Sequence, residues 1–188
     1  SRRCTMKALT DRIQILAPAH PSKQYWPDLA CREFLRILII KPSAVGDVVR
    51  TLPVLTALRR RWPAAHIAWL VATHCSGVLA DHPALSEIIP FDRKAYASVG
   101  RRLSVTRAFM GFLRQLRDNH FDLVIDLQGL FRSGFFSWVS GASVRIGRAD
   151  SREMTGLFYT HRAAVDERRM HALVLNRAVA APLGVKVQ

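Results

Sequence analysis

The sequence predicts an α/β domain, with a Rossmann-like parallel sheet and helices on both of its faces. Short, nearly continuous apolar runs are typical of strands buried on both faces, and they alternate here with segments whose apolar residues recur at helical spacing. This alternation indicates a mostly parallel sheet, and right-handed crossovers place the helices on both sides of it. A chain of 188 residues, 49% of them hydrophobic, is long enough to bury one substantial core.

The predicted elements follow one another from residue 35 onwards. Strands are predicted at the apolar runs 35–41, 66–72, 86–91, 121–127 and 144–148. The first helix follows Gly46, and Pro53 falls early in it or kinks it. A second helix ends near Asn119. An amphipathic helix over 170–184 closes the chain, with Gly184 as its stop.

Residues 1–34 differ from the rest of the chain in composition and in hydrophobic pattern. They contain three prolines and show no sustained hydrophobic period. Segments of this kind are typical of loops and extensions. We therefore predict a poorly defined extension or linker over 1–34 and a single Rossmann-like domain over 35–188.

The charge of the chain predicts a polyanionic partner. Lys and Arg number 28 against 14 Asp and Glu, a net charge of +14, which fits nucleic acid, anionic lipid or a substrate with phosphates and carboxylates. Nucleic-acid recognition usually adds aromatic stacking, and Tyr96 is the one aromatic residue within the basic stretch 93–107. We therefore expect no nucleic acid. No apolar run approaches the roughly 20 residues of a spanning helix, and no signal-type stretch follows the basic opening residues. The three cysteines are odd in number and widely spaced, so a reducing cytoplasm is the expected location.

The first candidate site is the loop KPSAVGD after the first strand. In a doubly wound sheet, ligands bind beyond the carboxyl ends of the strands. Gly46 allows a close backbone approach, and Asp47 lies at a helix start, where an ionised carboxylate is favoured. Such a carboxylate can take a proton from an attacking hydroxyl, although an Asp at a helix start is equally a common cap. The loop has neither the spacing of a Walker A motif nor that of a dinucleotide fingerprint.

A second candidate loop follows the strand 121–127. Asp126, Gln128 and Arg132 are expected to cluster at the end of that strand. A buried polar group needs either a ligand or a local partner, so Asp126 binds a ligand, holds Arg132 or caps a helix.

Arginines define two further candidate regions. Arg148 and Arg152 follow the strand 144–148 and are either bidentate ligands of phosphate or carboxylate or simply solvated. Arg93 begins the basic stretch, which forms a positive flap over an anionic substrate or an exposed helix face. The seven histidines lack metal-ligand spacing, so no metal site is expected.

Four blocks of sequence, in this order, resemble the heptosyltransferases of glycosyltransferase family 9. They read ILIIKPSAVGDVVRTLPVLTALRRRWP, FDLVIDLQGLFRSG, GRADSREMTGLFY and HALVLNRAVAAPLG. The pattern K-x-S-x-x-G-D followed by T-L-P is the most specific of these. The second and third blocks favour the type I members of the family over type II.

The resemblance implies the N-terminal half of a GT-B enzyme, in which two Rossmann-like domains face each other across a cleft. It further implies inverting transfer of heptose from ADP-heptose to a Kdo sugar of lipid A, in lipopolysaccharide inner-core synthesis. No metal or other cofactor is implied, and the enzyme would work at the cytoplasmic face of the inner membrane, peripherally. Asp47 matches the general base of the family. The acceptor-binding set transferred in this way is Lys41, Ser43, Gly46, Gln128, Arg132, Arg93 and Arg152.

Two departures limit what the resemblance implies. Ala44 stands where the family has a second serine and lacks its hydroxyl. The chain also ends where a donor-binding C-terminal domain is expected, so we expect this portion alone to be inactive. Two other functions remain open: a related glycosyltransferase with another acceptor, and a non-catalytic module that binds polyanions.

Overall fold

A parallel sheet organises the chain in the computed structural model, which describes residues 26–149, 155–163, 176 and 178–185. Within these ranges the sheet has six strands: β1 (Arg36–Ile40), β2 (His66–Ala72), β3 (Glu87–Phe91), β4 (Leu123–Asp126), β5 (Val144–Arg148) and β6 (His161–Ala163). Their order is β3-β2-β1-β4-β5-β6, and every neighbouring pair is parallel. The predicted Rossmann-like parallel sheet is therefore confirmed. The three-residue β6 was not predicted, because HRA contains no apolar run.

Helices follow the first strand and end near Asn119 as the hydrophobic pattern predicted, whereas the helices at Pro27–Ala30 and Phe131–Val139 were not predicted. The helices are α1 (Pro27–Ala30), α2 (Val45–Val49), α3 (Leu52–Arg61), α4 (Leu103–Asp118) and α5 (Phe131–Val139). The segment after β1 forms two helices rather than one. Pro53 occupies the first turn of α3, and because proline has no N–H to donate to the preceding turn, the helix restarts there.

Shorter helical turns complete the connections. In the part of the chain that the structure describes, three segments are 3₁₀-helical: Thr73–Leu79, Thr155–Phe158 and Ala181–Leu183. The predicted closing helix lies partly outside the described residues, and its described part is helical at 176 and 178–180. Gly184 then has a φ of 73°, in the left-handed region that ends helices, as predicted. In the described ranges no helix is long and apolar enough to cross a bilayer.

Two apolar clusters cover the two faces of the sheet. On one face, Ile37, Ile39 and Trp69 pack with residues of α3 and of the segment 179–185. On the other face, Leu38, Ile40 and Leu70 pack with residues of α4 and α5. Successive residues of each central strand thus enter opposite clusters, as the near-continuous apolar runs require. The prediction of helices on both faces is confirmed.

The predicted domain boundary at residues 34 and 35 is wrong for the described residues before it. Leu29 and Phe34 are buried in the same cluster as α3, and the Phe34 ring meets the Trp62 ring edge-on, with centroids 5.2 Å apart. The Trp62 indole also donates a hydrogen bond to the carbonyl of Arg32 (3.2 Å). Leu29 and Phe34 are too far apart to create a hydrophobic periodicity, so the sequence pattern could not predict this packing. Residues 26–34 are part of the domain.

Candidate functional site

The candidate site lies where the strand order of the sheet reverses. The chain passes from β1 to β2 on one side, whereas β4 pairs with the other side of β1. The carboxyl ends of β1 and β4 therefore open onto a crevice, the usual ligand position in such sheets. The two predicted loops meet here, because the Lys41 ammonium donates to the carbonyl of Leu127 (3.3 Å).

Asp47 lies in the first turn of α2 and is held between two cations. Its Oδ2 is 3.5 Å from the Lys41 Nζ, and its Oδ1 is 3.4 Å from a terminal nitrogen of Arg50. Ala44, not Asp47, is the N-cap residue of this helix, and it makes no side-chain cap. The Asp47 side chain remains 33% exposed. Asp47 is therefore an oriented carboxylate that solvent and ligands can reach.

Lys41 ties the first loop to the second. The side chain is buried, and burial lowers the pKa of Lys41, while the nearby carboxylates of Asp47 and Asp126 oppose the shift and Arg148 adds to it. A buried ammonium needs charge partners and acceptors. Lys41 finds them in the Asp47 carboxylate and the Leu127 carbonyl.

Two buried polar side chains fix the backbone of the candidate base. The Thr51 hydroxyl donates to the carbonyl of Asp47 (2.8 Å), and the Asn176 amide donates to that same hydroxyl (2.8 Å). Both residues are buried. This connection could not be predicted, because Asn176 falls in a segment predicted only as an amphipathic helix.

Asp126 is a buried structural carboxylate. Its Oδ1 accepts from the N–H groups of Gln128 (2.8 Å) and Gly129 (3.1 Å), and its Oδ2 accepts from the Tyr159 hydroxyl (2.7 Å). Burial raises the pKa of Asp126, while hydrogen bonds from Tyr159, from Ser133 and from these backbone groups oppose the shift. Asp126 therefore has local partners, but it does not cap a helix: the N–H groups that it accepts from lie in the turn before α5, whose N-cap residue is Leu130. Arg132 instead extends over the Phe91 ring, 5.9 Å from its centroid.

Tyr159 reaches Asp126 because Gly147 leaves room for its ring. A Cβ added at Gly147 would lie 2.3 Å from the Tyr159 ring, closer than any real contact allows. Both residues belong to the block GRADSREMTGLFY, yet neither was predicted to have a role. A glycine inside an apolar strand run is the signal that could have indicated a close approach.

A cleft of about 650 Å³ opens beside these loops. Four predicted site residues line it: Ser43, Arg93, Gln128 and Arg132. The Gln128 Oε1 is buried and has no hydrogen-bond partner among the described residues. An unpaired buried carbonyl is costly, so this oxygen is a ready acceptor for a ligand hydroxyl or amine.

The remaining predicted residues lie around this cleft or outside the description. Lys41 and Asp47 do not line the cleft itself but flank it through Pro42 and Ser43, which do. A Cβ at Gly46 would meet open space, so no described neighbour requires glycine there. Arg148 is 5% exposed, which contradicts the solvated alternative for it, and Arg152 lies outside the described residues. No group of three or more His, Cys, Asp or Glu side chains in the described part of the chain is arranged to hold a metal ion.

Comparison with known proteins gives consistent results for sequence and fold. Residues 109–187 match the family Glycosyltransferase family 9 (heptosyltransferase). The chain is 31% identical to lipopolysaccharide heptosyltransferase 1 of Pseudomonas aeruginosa over 128 residues, which are 66% of this chain and 36% of that protein. Identity to lipopolysaccharide heptosyltransferase 1 of Escherichia coli is 27% over 146 residues, 76% of this chain and 46% of that protein.

The structure superposes on the heptosyltransferase WaaC of E. coli, solved with ADP-2-deoxy-2-fluoro heptose. The TM-score is 0.72 at 26% identity, covering 82% of this chain and 50% of that one. E. coli ADP-heptose lps heptosyltransferase II shares the fold, with a TM-score of 0.61 over 78% of this chain. The chain therefore spans between about a third and a half of the length of these relatives.

Proposed function

Because this chain is related to the heptosyltransferases of glycosyltransferase family 9, as its motifs predicted, we propose that it is the acceptor-side, N-terminal half of such an enzyme. The whole enzyme would have the GT-B architecture and would transfer L-glycero-D-manno-heptose from ADP-heptose to a Kdo sugar of lipid A. The reaction would proceed with inversion and without a metal or other cofactor, as the family resemblance implies. The donor would bind chiefly to the other half of the enzyme.

One observation carries this proposal: an accessible carboxylate at the point where the strand order reverses, held by two cations. The acceptor hydroxyl would give its proton to Asp47 as its oxygen attacks the anomeric carbon of the heptose. The bond from that carbon to the diphosphate would break at the same time, and ADP would leave with the electron pair. Lys41 and Arg50, 3.5 and 3.4 Å from Asp47, would fix the carboxylate for this transfer.

The neighbouring cleft has the chemistry of a sugar-acid site. The buried Gln128 Oε1 can accept a hydrogen bond from a sugar hydroxyl, and the Ser43 hydroxyl can donate one or accept one. Arg93 and Arg132 line the same cleft and can pair with carboxylate or phosphate groups. These four residues, with Lys41 and Gly46, form the proposed acceptor site, to which we add Arg152 from the sequence resemblance alone.

The acceptor also determines the proposed location. An enzyme that uses ADP-heptose and a lipid-linked acceptor would work at the cytoplasmic face of the inner membrane. The basic charge of the chain, +14, suits peripheral attachment to anionic lipid.

The test is a transfer assay with the complete enzyme, including the half beyond this chain. With ADP-heptose and Kdo-lipid A as substrates, Asp47→Ala should lower kcat about 10²- to 10⁴-fold, the usual contribution of a general base. The matched control is Asp118→Ala, which removes an exposed carboxylate at the end of α4 and should leave kcat unchanged.

Three outcomes would contradict the proposal in different ways. Undiminished transfer by a folded Asp47→Ala variant would remove the assigned base. Activity with another sugar acceptor in place of Kdo-lipid A would indicate a related transferase. Salt-sensitive binding to nucleic acid without any response to lipid A would favour a non-catalytic polyanion-binding module.

A further inference from the structure

We propose that an aromatic groove next to the candidate cleft binds the hydrocarbon chain of an anionic amphiphile. The aromatic groove is the cavity of about 820 Å³ walled by Tyr96, Val99, Phe109, Leu130, Phe131 and Phe135. The proposal deepens the proposed function and rests on it, because it gives the acceptor site a separate place for the apolar part of the acceptor.

The lining of the aromatic groove is unusual for a surface in contact with water. Phe131 is 51% exposed, Leu130 45% and Val99 38%. Phe91 and Phe136 also line the groove, and both are buried. Large apolar side chains exposed together around a concavity mark binding surfaces more often than scattered single residues do.

The aromatic groove continues directly into the polar cleft. Five residues line both cavities: Phe91, Arg93, Leu130, Arg132 and Phe136. A ligand with its polar end near Gln128 would therefore place an attached chain along the aromatic wall without crossing protein. This continuity favours a single amphiphilic molecule over two separate ligands.

Charge at the junction selects an anionic amphiphile. Arg93 and Arg132 lie in the lining shared by the two cavities, where a phosphate between head and chain would be located. The stretch 93–117, which forms one rim of the aromatic groove, contains seven Lys and Arg and no Asp or Glu. Asp92 is the one carboxylate among the residues that line the two cavities, so the net charge of the lining is positive and disfavours a cationic amphiphile.

The test is a calorimetric titration of the chain with hexyl, octyl and decyl phosphate, each below its critical micelle concentration. Every methylene that enters the groove should tighten binding about fourfold, which corresponds to about 0.8 kcal/mol of apolar burial. Inorganic phosphate measures binding at the arginines alone and should bind most weakly. Affinity that does not depend on chain length would overturn the proposal.

Two variants locate the site. Ala97→Trp adds an indole to an exposed position of the groove wall and should reduce the binding of decyl phosphate by at least about tenfold, by excluding several methylenes. Phe131→Ala removes one exposed wall and should reduce it less. Leu157→Ala is the matched control, because Leu157 is 70% exposed and lines neither cavity.

The outcomes separate this proposal from the transferase assignment. Chain-length dependence that persists unchanged in Ala97→Trp, or an equal loss in Leu157→Ala, would show that the alkyl chain binds elsewhere and would overturn the groove assignment. The titration needs neither ADP-heptose nor turnover. Its failure would leave the proposed transfer reaction standing, and failure of the transfer assay would not affect the titration.

Discussion

Asp47 and Asp126 are two carboxylates at the same edge of one sheet, following neighbouring strands, yet their surroundings differ in kind. Asp47 is 33% exposed and is paired with the cationic side chains of Lys41 and Arg50. Asp126 is fully buried, and neutral donors from Gln128, Gly129 and Tyr159 surround it. Cationic side chains orient the Asp47 carboxylate and leave it accessible, whereas backbone N–H groups and the Tyr159 hydroxyl occupy both oxygens of Asp126, which thereby holds a loop.

Two aspartates of the same crevice therefore have different roles: one is accessible and the other is structural. The loop that Asp126 holds carries Gln128, whose side-chain oxygen stays unpaired at the cleft. In the proposed site, Asp126 would act on a ligand only through the position of Gln128, whereas Asp47 would act on it directly. Stability and chemistry should therefore respond to different substitutions.

The largest expected effect on stability comes from Asp126→Ala. This change leaves two backbone N–H groups and the Tyr159 hydroxyl without their acceptor inside the protein, and the expected loss is about 4 kcal/mol of unfolding free energy. Asp47→Ala should cost less than this, because the Arg50 ion pair lies near the surface and the buried Lys41 ammonium keeps the Leu127 carbonyl as an acceptor after its carboxylate partner is lost. Urea unfolding of both variants measures these losses of unfolding free energy. Equal losses would contradict the assignment of a structural role to Asp126 alone.

A smaller loss is expected from Gly147→Ala, which acts on Asp126 through Tyr159. The added Cβ overlaps the Tyr159 ring, and overpacking with displacement of the tyrosine should cost about 2–3 kcal/mol. Gly111→Ala is the control of opposite sign, because its Cβ meets open space within α4 and alanine favours a helix by about 0.5–1 kcal/mol. Thermal unfolding that ranks these two variants the other way would mean that Tyr159 is not fixed against β5.

The smallest expected effect is a pH dependence that belongs to Asp126. Its folded-state pKa is raised by burial above the ordinary value of 3.8, so the folded protein binds more protons than the unfolded chain between those two values. Its contribution to stability is complete below pH 3.8 and falls as pH rises through the folded pKa, by at most about 1.4 kcal/mol per pH unit. The wild type should therefore lose stability relative to Asp126→Asn from about pH 4 upwards. Unfolding curves of the two proteins across this range would contradict the assignment if their difference stayed constant.

Much of the fold could be predicted from the sequence, because parallel strands buried on both faces leave a direct signal. The runs that form β1 and β2 are nearly continuous in apolar residues, and all five predicted strands occur. The catalytic role of Asp47 stays a prediction, since periodicity places it only at a helix start. The role of Asp126 follows from its burial and from its hydrogen bonds to Gln128, Gly129 and Tyr159. Neither can be predicted from the residues next to it in the sequence.

The features that the sequence could not predict all depend on distant contacts. Phe34 and Trp62 form their ring contact only after the chain has folded, so residues 26–34 resembled a linker. Tyr159 and Asp126 lie in different blocks of the sequence, and their hydrogen bond follows from the pairing of β4 with β5. Hydrophobic periods report the face on which a residue lies, not the polar partner that it will meet there.

The hydrogen bonds from Asn176 to Thr51 and from Thr51 to the carbonyl of Asp47 give the crevice one rigid wall. The peptide unit of Asp47 cannot swing outward without breaking buried contacts with a segment near the far end of the chain. On the opposite side of the crevice, the described hydrogen bonds of the turn at 93–102 stay within residues 92–106, and Tyr96 packs this turn on the rings of Phe91 and Phe109. A substitution at Asn176 would therefore change the surroundings of the Asp47 backbone through Thr51, although the two residues lie far apart in the sequence.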